Sequence, residues 1–139
     1  MSTNKDPIFL ETTFTKCVQI LPADTTDKKI IYTAGADGGA VTQLSASTDD
    51  TSQVIAEISV SDGTTEVKLG EVVIPAGSGT DGSSPSKNLL DVAAMPGSLQ
   101  ADGSLLLGPA AVLSVNAKAT ITAAKVFDIV GHGGSYTDA

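Results

Sequence analysis

The sequence has no arginine and no tryptophan, one cysteine, one histidine, and only 4% aromatic residues. Each shortage removes a class of function. Arginine is the side chain best suited to bidentate phosphate recognition. The eight lysines that carry all the positive charge form no cluster beyond Lys28-Lys29, so a nucleic-acid-binding patch is not expected. With Cys17 alone, neither an intrachain disulfide nor a cysteine-built zinc site is possible. The lack of tryptophan, with only two tyrosines, argues against the aromatic platforms of a lectin or glycan hydrolase. No apolar run reaches 18 residues, so no membrane helix is expected. MSTNKDP has no apolar core, so it does not read as a signal peptide, and folding in a cytoplasm is the expectation.

What is present describes a folded β domain. The chain of 139 residues is 41% apolar and 17% charged, and Thr, Ser and Gly make up the difference. Abundant Val, Ile and Thr argue against disorder. A chain of this length forms one domain. The formal charge of −8 serves solubility and opposes self-association.

The patterning centres on VIAEISVSDGTTEVKLGEVVI, residues 54–74. Val54, Ala56, Ile58 and Val60 alternate with polar residues at the period of a half-buried strand. Asp62-Gly63 suits a tight turn. Val67, Leu69 and Val73 continue the alternation until Pro75, which gives a hairpin expected in the middle of a sheet. Before it, residues 1–7 read as a short polar arm and 8–139 as one β-sandwich domain. Strands are expected over 8–20 (Phe14, Lys16, Val18 and Ile20 sharing one parity), over 28–34, and over 40–47. In the last of these, Val41 and Leu44 differ in parity, so a bulge is expected.

Residues 76–87 (AGSGTDGSSPSK) look the most flexible, and long loops in compact domains usually carry contacts. Residues 88–94 are ambiguous between strand and helical turn. SLLLG (104–108), the alternating Leu113, Val115, Ala117, Ala119 and Ile121, and KVFDIV (125–130) are further strands, and GHGGSYTDA reads as a loose tail. Asp-Gly recurs at 37–38, 62–63, 81–82 and 102–103, each between candidate strands. Seven to nine strands with such turns predict an all-β, antiparallel sandwich of jelly-roll type, and the lack of a fixed repeat length disfavours a solenoid.

Several constellations have simpler accounts than chemistry. Gly77-Ser78-Gly79-Thr80-Asp81-Gly82 spells G-x-G-x-x-G, but Pro75 precedes it and no amphipathic helix follows, so a turn-rich loop explains it better than a dinucleotide site. Gly131-His132-Gly133-Gly134 has the letters of an esterase oxyanion loop without a G-x-S-x-G elbow, and His132 reads as an exposed tail residue. Asp49-Asp50 and the Asp-Gly aspartates fit turn chemistry, with a Ca²⁺ site where acidic loops converge as the alternative. Glu57, Glu66 and Glu71 alternate with apolar residues and read as a solvent face more than a glycosidase pair. Cys17 reads as a small buried hydrophobe. No catalytic residue, cofactor or metal is assigned.

The chain as a whole, through its KDPIF arm, IIYTAGADGGAVTQLSAS, ISVSDGTTEVKLGEVVIPAGSGTDGSSPSKNLLD and AAVLSVNAKATITAAKVFDIVGHGGSY, resembles small virion structural proteins of tailed bacteriophages, the capsid decoration or cement proteins. That resemblance implies a compact β domain, not an enzyme. It would be made in the host cytoplasm and seated on the outer capsid surface of the virion, with the major capsid protein and a homotrimer of itself as partners. Lys5, Asp6, Pro7, Ile8 and Phe9 of the arm region, and Gly77, Gly79, Asp81 and Gly82 of the loop, are the candidate shell or intersubunit contacts. A tail or fibre adhesion domain is the alternative, and a small hydrolase ranks last.

Overall fold

The computed structural model describes residues 10–136. Among the described residues, nine strands build two antiparallel sheets that pack face to face: β1 Leu10–Ile20, β2 Lys29–Thr33, β3 Gly39–Thr48, β4 Val54–Ser61, β5 Glu66–Ile74, β6 Lys87–Asn88, β7 Leu105–Leu107, β8 Val112–Ala117 and β9 Phe127–Tyr136. One sheet runs β1-β9-β3-β6, with β7 also pairing β3, and the other runs β2-β8-β4-β5. Among the described residues there is no α-helix. The chain is therefore a β-sandwich, as the alternation predicts.

The core follows the strand parities. Ala56 and Ile58 of β4, Leu113, Val115 and Ala117 of β8, and Ile20, Leu44, Phe127 and Ile129 from the facing sheet are all buried. Val41 and Leu44 are both buried because the β3–β9 register shifts between Val41 and Gln43, the expected bulge. The glycines of all four Asp-Gly pairs have positive φ, from 79° to 100°, the backbone region these turns require of glycine.

Elsewhere the sequence reading needs correction. The 54–74 hairpin exists, but only β4 is interior, and β5 is the edge of its sheet. Its turn is a four-residue loop in which the Asp62 carboxylate accepts from the Thr64 and Thr65 amides. The β4–β5 register shifts so that Ser59 faces Lys68 and Ile58 faces Gly70. Leu69 is the extra residue, and beyond it the parity inverts. Val72 and Ile74 are buried, whereas Val67 and Val73 are exposed. Strand β8 ends at Ala117, which leaves Ala119 exposed while Ile121 folds back into the core. Residues 88–94, open between strand and helical turn in the sequence, leave strand at Asn88 and take the turn, with the Ala94 and Met95 amides donating to Asp91 O and with Leu89 and Leu90 buried. Cys17 is exposed, because it shares parity with Thr15 and Gln19 on the outward face of β1.

The largest revision concerns the glycine-rich C-terminal stretch. Residues 131–136 continue β9, which lies between β1 and β3 and pairs with both. Glycine fits there because neighbours occupy the space a side chain would need. A Cβ on Gly131 would lie 3.0 Å from Ile31 Cγ2 and 3.2 Å from Leu44 Cδ1. One on Gly133 would lie 2.8 Å from Phe14 Cε1 and 2.9 Å from Val41 Cα, and would overlap the Ala40 carbonyl oxygen. The Phe14 ring stacks on Tyr32 with centroids 4.4 Å apart, which closes the sandwich where β1 meets β2.

Gly133→Ala is therefore expected to cost about 3 kcal/mol, the upper part of the overpacking range. Gly108→Ala, where a Cβ meets nothing within 4 Å, should stay within about 0.5 kcal/mol. Urea unfolding of both variants checks this, and equal midpoints would remove close packing as the reason for glycine in β9.

Candidate interaction surfaces

At one end of the sandwich, the segments following β3 and β8 are tied together by one carboxylate. Asp50 is 3% exposed. Its oxygens accept from the Ser52 amide at 2.9 Å, the Thr122 amide at 3.0 Å and the Thr122 hydroxyl at 2.8 Å. Burial by itself pushes the Asp50 carboxyl up, but these hydrogen bonds and the charge of Lys125 outweigh it and hold the carboxyl below its ordinary range. Asp49 accepts from the Val126 amide at 2.9 Å. Both carboxylates thus serve as acceptors for backbone donors. Among the described residues, no group of three or more His, Cys, Asp or Glu side chains converges as a metal site would require.

The 76–87 loop is anchored at this same end. The Thr48 amide donates to Ser78 O at 2.9 Å, the Gly77 amide to Asp50 O at 3.1 Å, and the Thr80 hydroxyl to Thr48 O at 2.9 Å. Ser78 is wholly buried, and its hydroxyl donates to Pro75 O at 2.6 Å. A loop read as flexible from its composition is pinned by its own small polar residues. Gly77 and Gly79 have φ of +71° and +77°, and a Cβ on Gly79 would lie 2.8 Å from Ser47 Cβ. Asp81 Oδ1 caps the turn by accepting from the Ser84 and Ser83 amides, which lowers its pKa. The G-x-G-x-x-G letters therefore encode a folded turn, and no helix follows to supply the N-terminus a pyrophosphate would need. Asp81, Gly82, Ser83 and Pro85 form its exposed tip, beside a shallow groove of about 300 Å³.

The two outer faces differ in character. On the β2-β8-β4-β5 sheet, Lys68 bridges Glu57 and Glu71 at 2.7 Å each, and Lys118 reaches Glu71 at 3.1 Å. The lysines draw Glu71 down to about 2, and the two glutamates, Glu57 foremost, raise Lys68 to about 12. Glu57 also accepts from the Asn116 side-chain amide at 2.9 Å. These glutamates do lie on the outer face, engaged with lysine rather than arranged as an acid and a nucleophile. The outer face of the other sheet carries Thr15, Cys17 and Gln19 beside His132, Val130 and Asp128. There His132 Nδ1 lies 3.2 Å from Thr15 Oγ1. His132 is thus a half-buried strand residue, not part of a loose tail.

Of the candidate contact residues, Gly77, Gly79, Asp81 and Gly82 come together in the anchored loop. Lys5, Asp6, Pro7, Ile8 and Phe9 lie outside the described residues. Leu10, which follows them, pairs with Tyr136 at the opposite end of the sandwich. The eleven residues of β1 separate the two ends by about 35 Å.

Sequence reading missed the apolar cleft at the Leu10 end, of about 280 Å³, where Val60, Val67, Leu107 and Ala111 meet the exposed Leu106. Its walls come from the 54–74 hairpin and the SLLLG strand, and only the fold brings these together. It also missed the Asp50–Thr122 tie, which spans 72 positions. Comparison with known proteins found no matching family model, no matching curated protein and no matching solved structure.

A carboxylate whose folded pKa is lowered stabilises the fold above its unfolded pKa and loses that contribution as pH falls through the folded value. Asp50, Glu57 and Glu71 all shift this way. Stability is therefore expected to be level from pH 7 to about 5 and to fall between about pH 4 and 2. Asp50→Asn should cost about 2–3 kcal/mol at pH 7 by leaving buried donors badly matched, and should lose less than the parent on going to pH 3. Urea unfolding at both pH values is the measurement. An equal pH-dependent loss in parent and variant would remove Asp50 from the acid response.

Proposed function

We propose that the chain is a bacteriophage capsid decoration protein that binds the outer surface of the head and stabilises it as a homotrimer. The observation that carries this reading is the use of the polar side chains. Asp50, Asp81, Glu57 and Glu71 all hold structure, while the candidate contact segments leave from opposite ends of the domain. That arrangement suits a rigid spacer between shell and neighbour better than it suits a reaction site. The strand orders also fit jelly-roll connectivity, with β6 and β7 sharing one strand position along β3.

The mechanism is linkage. A protein that binds the intact shell and not the disrupted one stabilises it by RT ln(1+[L]/Kd), about 2.7 kcal/mol at a hundredfold excess over Kd. Linking three such contacts in a trimer adds avidity.

Co-sedimentation with emptied, expanded heads tests the reading. The protein is expected to pellet with heads and raise their melting temperature, and deletion of residues 1–7 should lower occupancy at least tenfold. Full occupancy after the deletion would remove the arm from the account. Binding to host cells with none to heads would replace decoration with adhesion.

A further inference from the structure

The cleft at the Leu10 end is apolar and open. Val67 is 54% exposed and Leu106 53% exposed, from two sheets that meet there without a covering segment among the described residues. Strand addition along β5 is a poor way to cover it. The bulge at Leu69 and the outward Lys68 interrupt that edge, as edge strands protected against pairing do. An occupant with apolar side chains on a short extended segment suits the cleft better.

The nine residues preceding Leu10 contain the adjacent apolar pair Ile8-Phe9. Within one chain the backbone reach of this pair falls short of the cleft. Leu10 pairs with Tyr136, Ser135 with Gly39, and Gly39 with Leu107, so the cleft lies three strand positions across the sheet from the point where the segment begins. At about 4.8 Å per strand this is roughly 14 Å. Ile8 is two residues from Leu10 and extends at most about 7 Å.

We propose that Ile8 and Phe9 of one copy seat in the Val67–Leu106 cleft of a second copy. The segment and the cleft are different surfaces, so each contact joins unlike patches, and either a closed ring or a reciprocal two-fold exchange fills every cleft. This deepens the self-association part of the reading above and needs no shell. It can be tested on the isolated protein, so its failure leaves head binding to be judged by pelleting.

The chain has no tryptophan, so Phe9→Trp installs a single reporter. Its emission is expected to shift to the blue as concentration rises and to return to that of solvated indole on dilution. Leu106→Glu in the same chain should abolish the shift. Because Leu106 is half exposed, the fold should survive, and circular dichroism checks this. A mixing experiment then isolates the contact between copies. Phe9→Trp/Leu106→Glu has an intact segment and a spoiled cleft, and Phe9→Ser has the reverse. Each alone should be monomeric by light scattering, and mixing should restore the blue shift. A shift independent of concentration, a shift that survives Leu106→Glu, or no recovery on mixing would each overturn the proposal.

Discussion

The five-stranded sheet depends on how closely its neighbours approach the backbone of β9. Strand β9 pairs with β1 along one edge and β3 along the other. On its inward face, Gly131 and Gly133 leave room for Leu44, Ile31 and the Phe14 ring. With a larger residue at Gly133, Phe14 could not lie where it stacks on Tyr32, and the two sheets would lose their junction between β1 and β2. A chain with few aromatics closes its sandwich with one stacked pair and fits the backbone around it.

This explains what could and could not be read from the amino acids. Alternation identified β4 and β8 because their inward residues are plainly apolar, and the parity conflict between Val41 and Leu44 revealed the β3 bulge. The same logic failed at β5, where the extra residue Leu69 inverts the parity and no local feature announces it. It failed at β9 because glycine gives no hydrophobic signal: the burial there belongs to Ile31, Leu44 and Phe14, which lie far away in sequence. Cys17 was misplaced because a small apolar residue next to Val18 reads as core, although alternation puts it opposite the buried Ile20 parity.

The loop at 76–87 teaches a related lesson about composition. Twelve residues whose only apolar side chains are those of Ala76 and Pro85 look unstructured because apolar burial is the usual reason for order. Here order comes from hydrogen bonding. Ser78, Thr80 and Asp81 satisfy nearby backbone groups, and Thr48 and Asp50 present the complementary donors and acceptors. The ordering entropy of the loop is offset by bonds that small polar side chains can make at short range.

Anchoring one end of the domain and leaving an apolar cleft open at the other makes the molecule directional. The charged network of Glu57, Lys68, Glu71 and Lys118 covers one broad face, and a net charge of −8 discourages unspecific pairing between copies. An association that overcomes this repulsion must be local and apolar, and the Val67–Leu106 cleft is a site of that kind. Because the segment proposed to fill it starts on the far edge of the same end, each copy would offer both a segment and a cleft to other copies. The loop end, about 35 Å away, then stays free for a different partner. A domain built this way can join copies to each other at one end while holding a surface with the other.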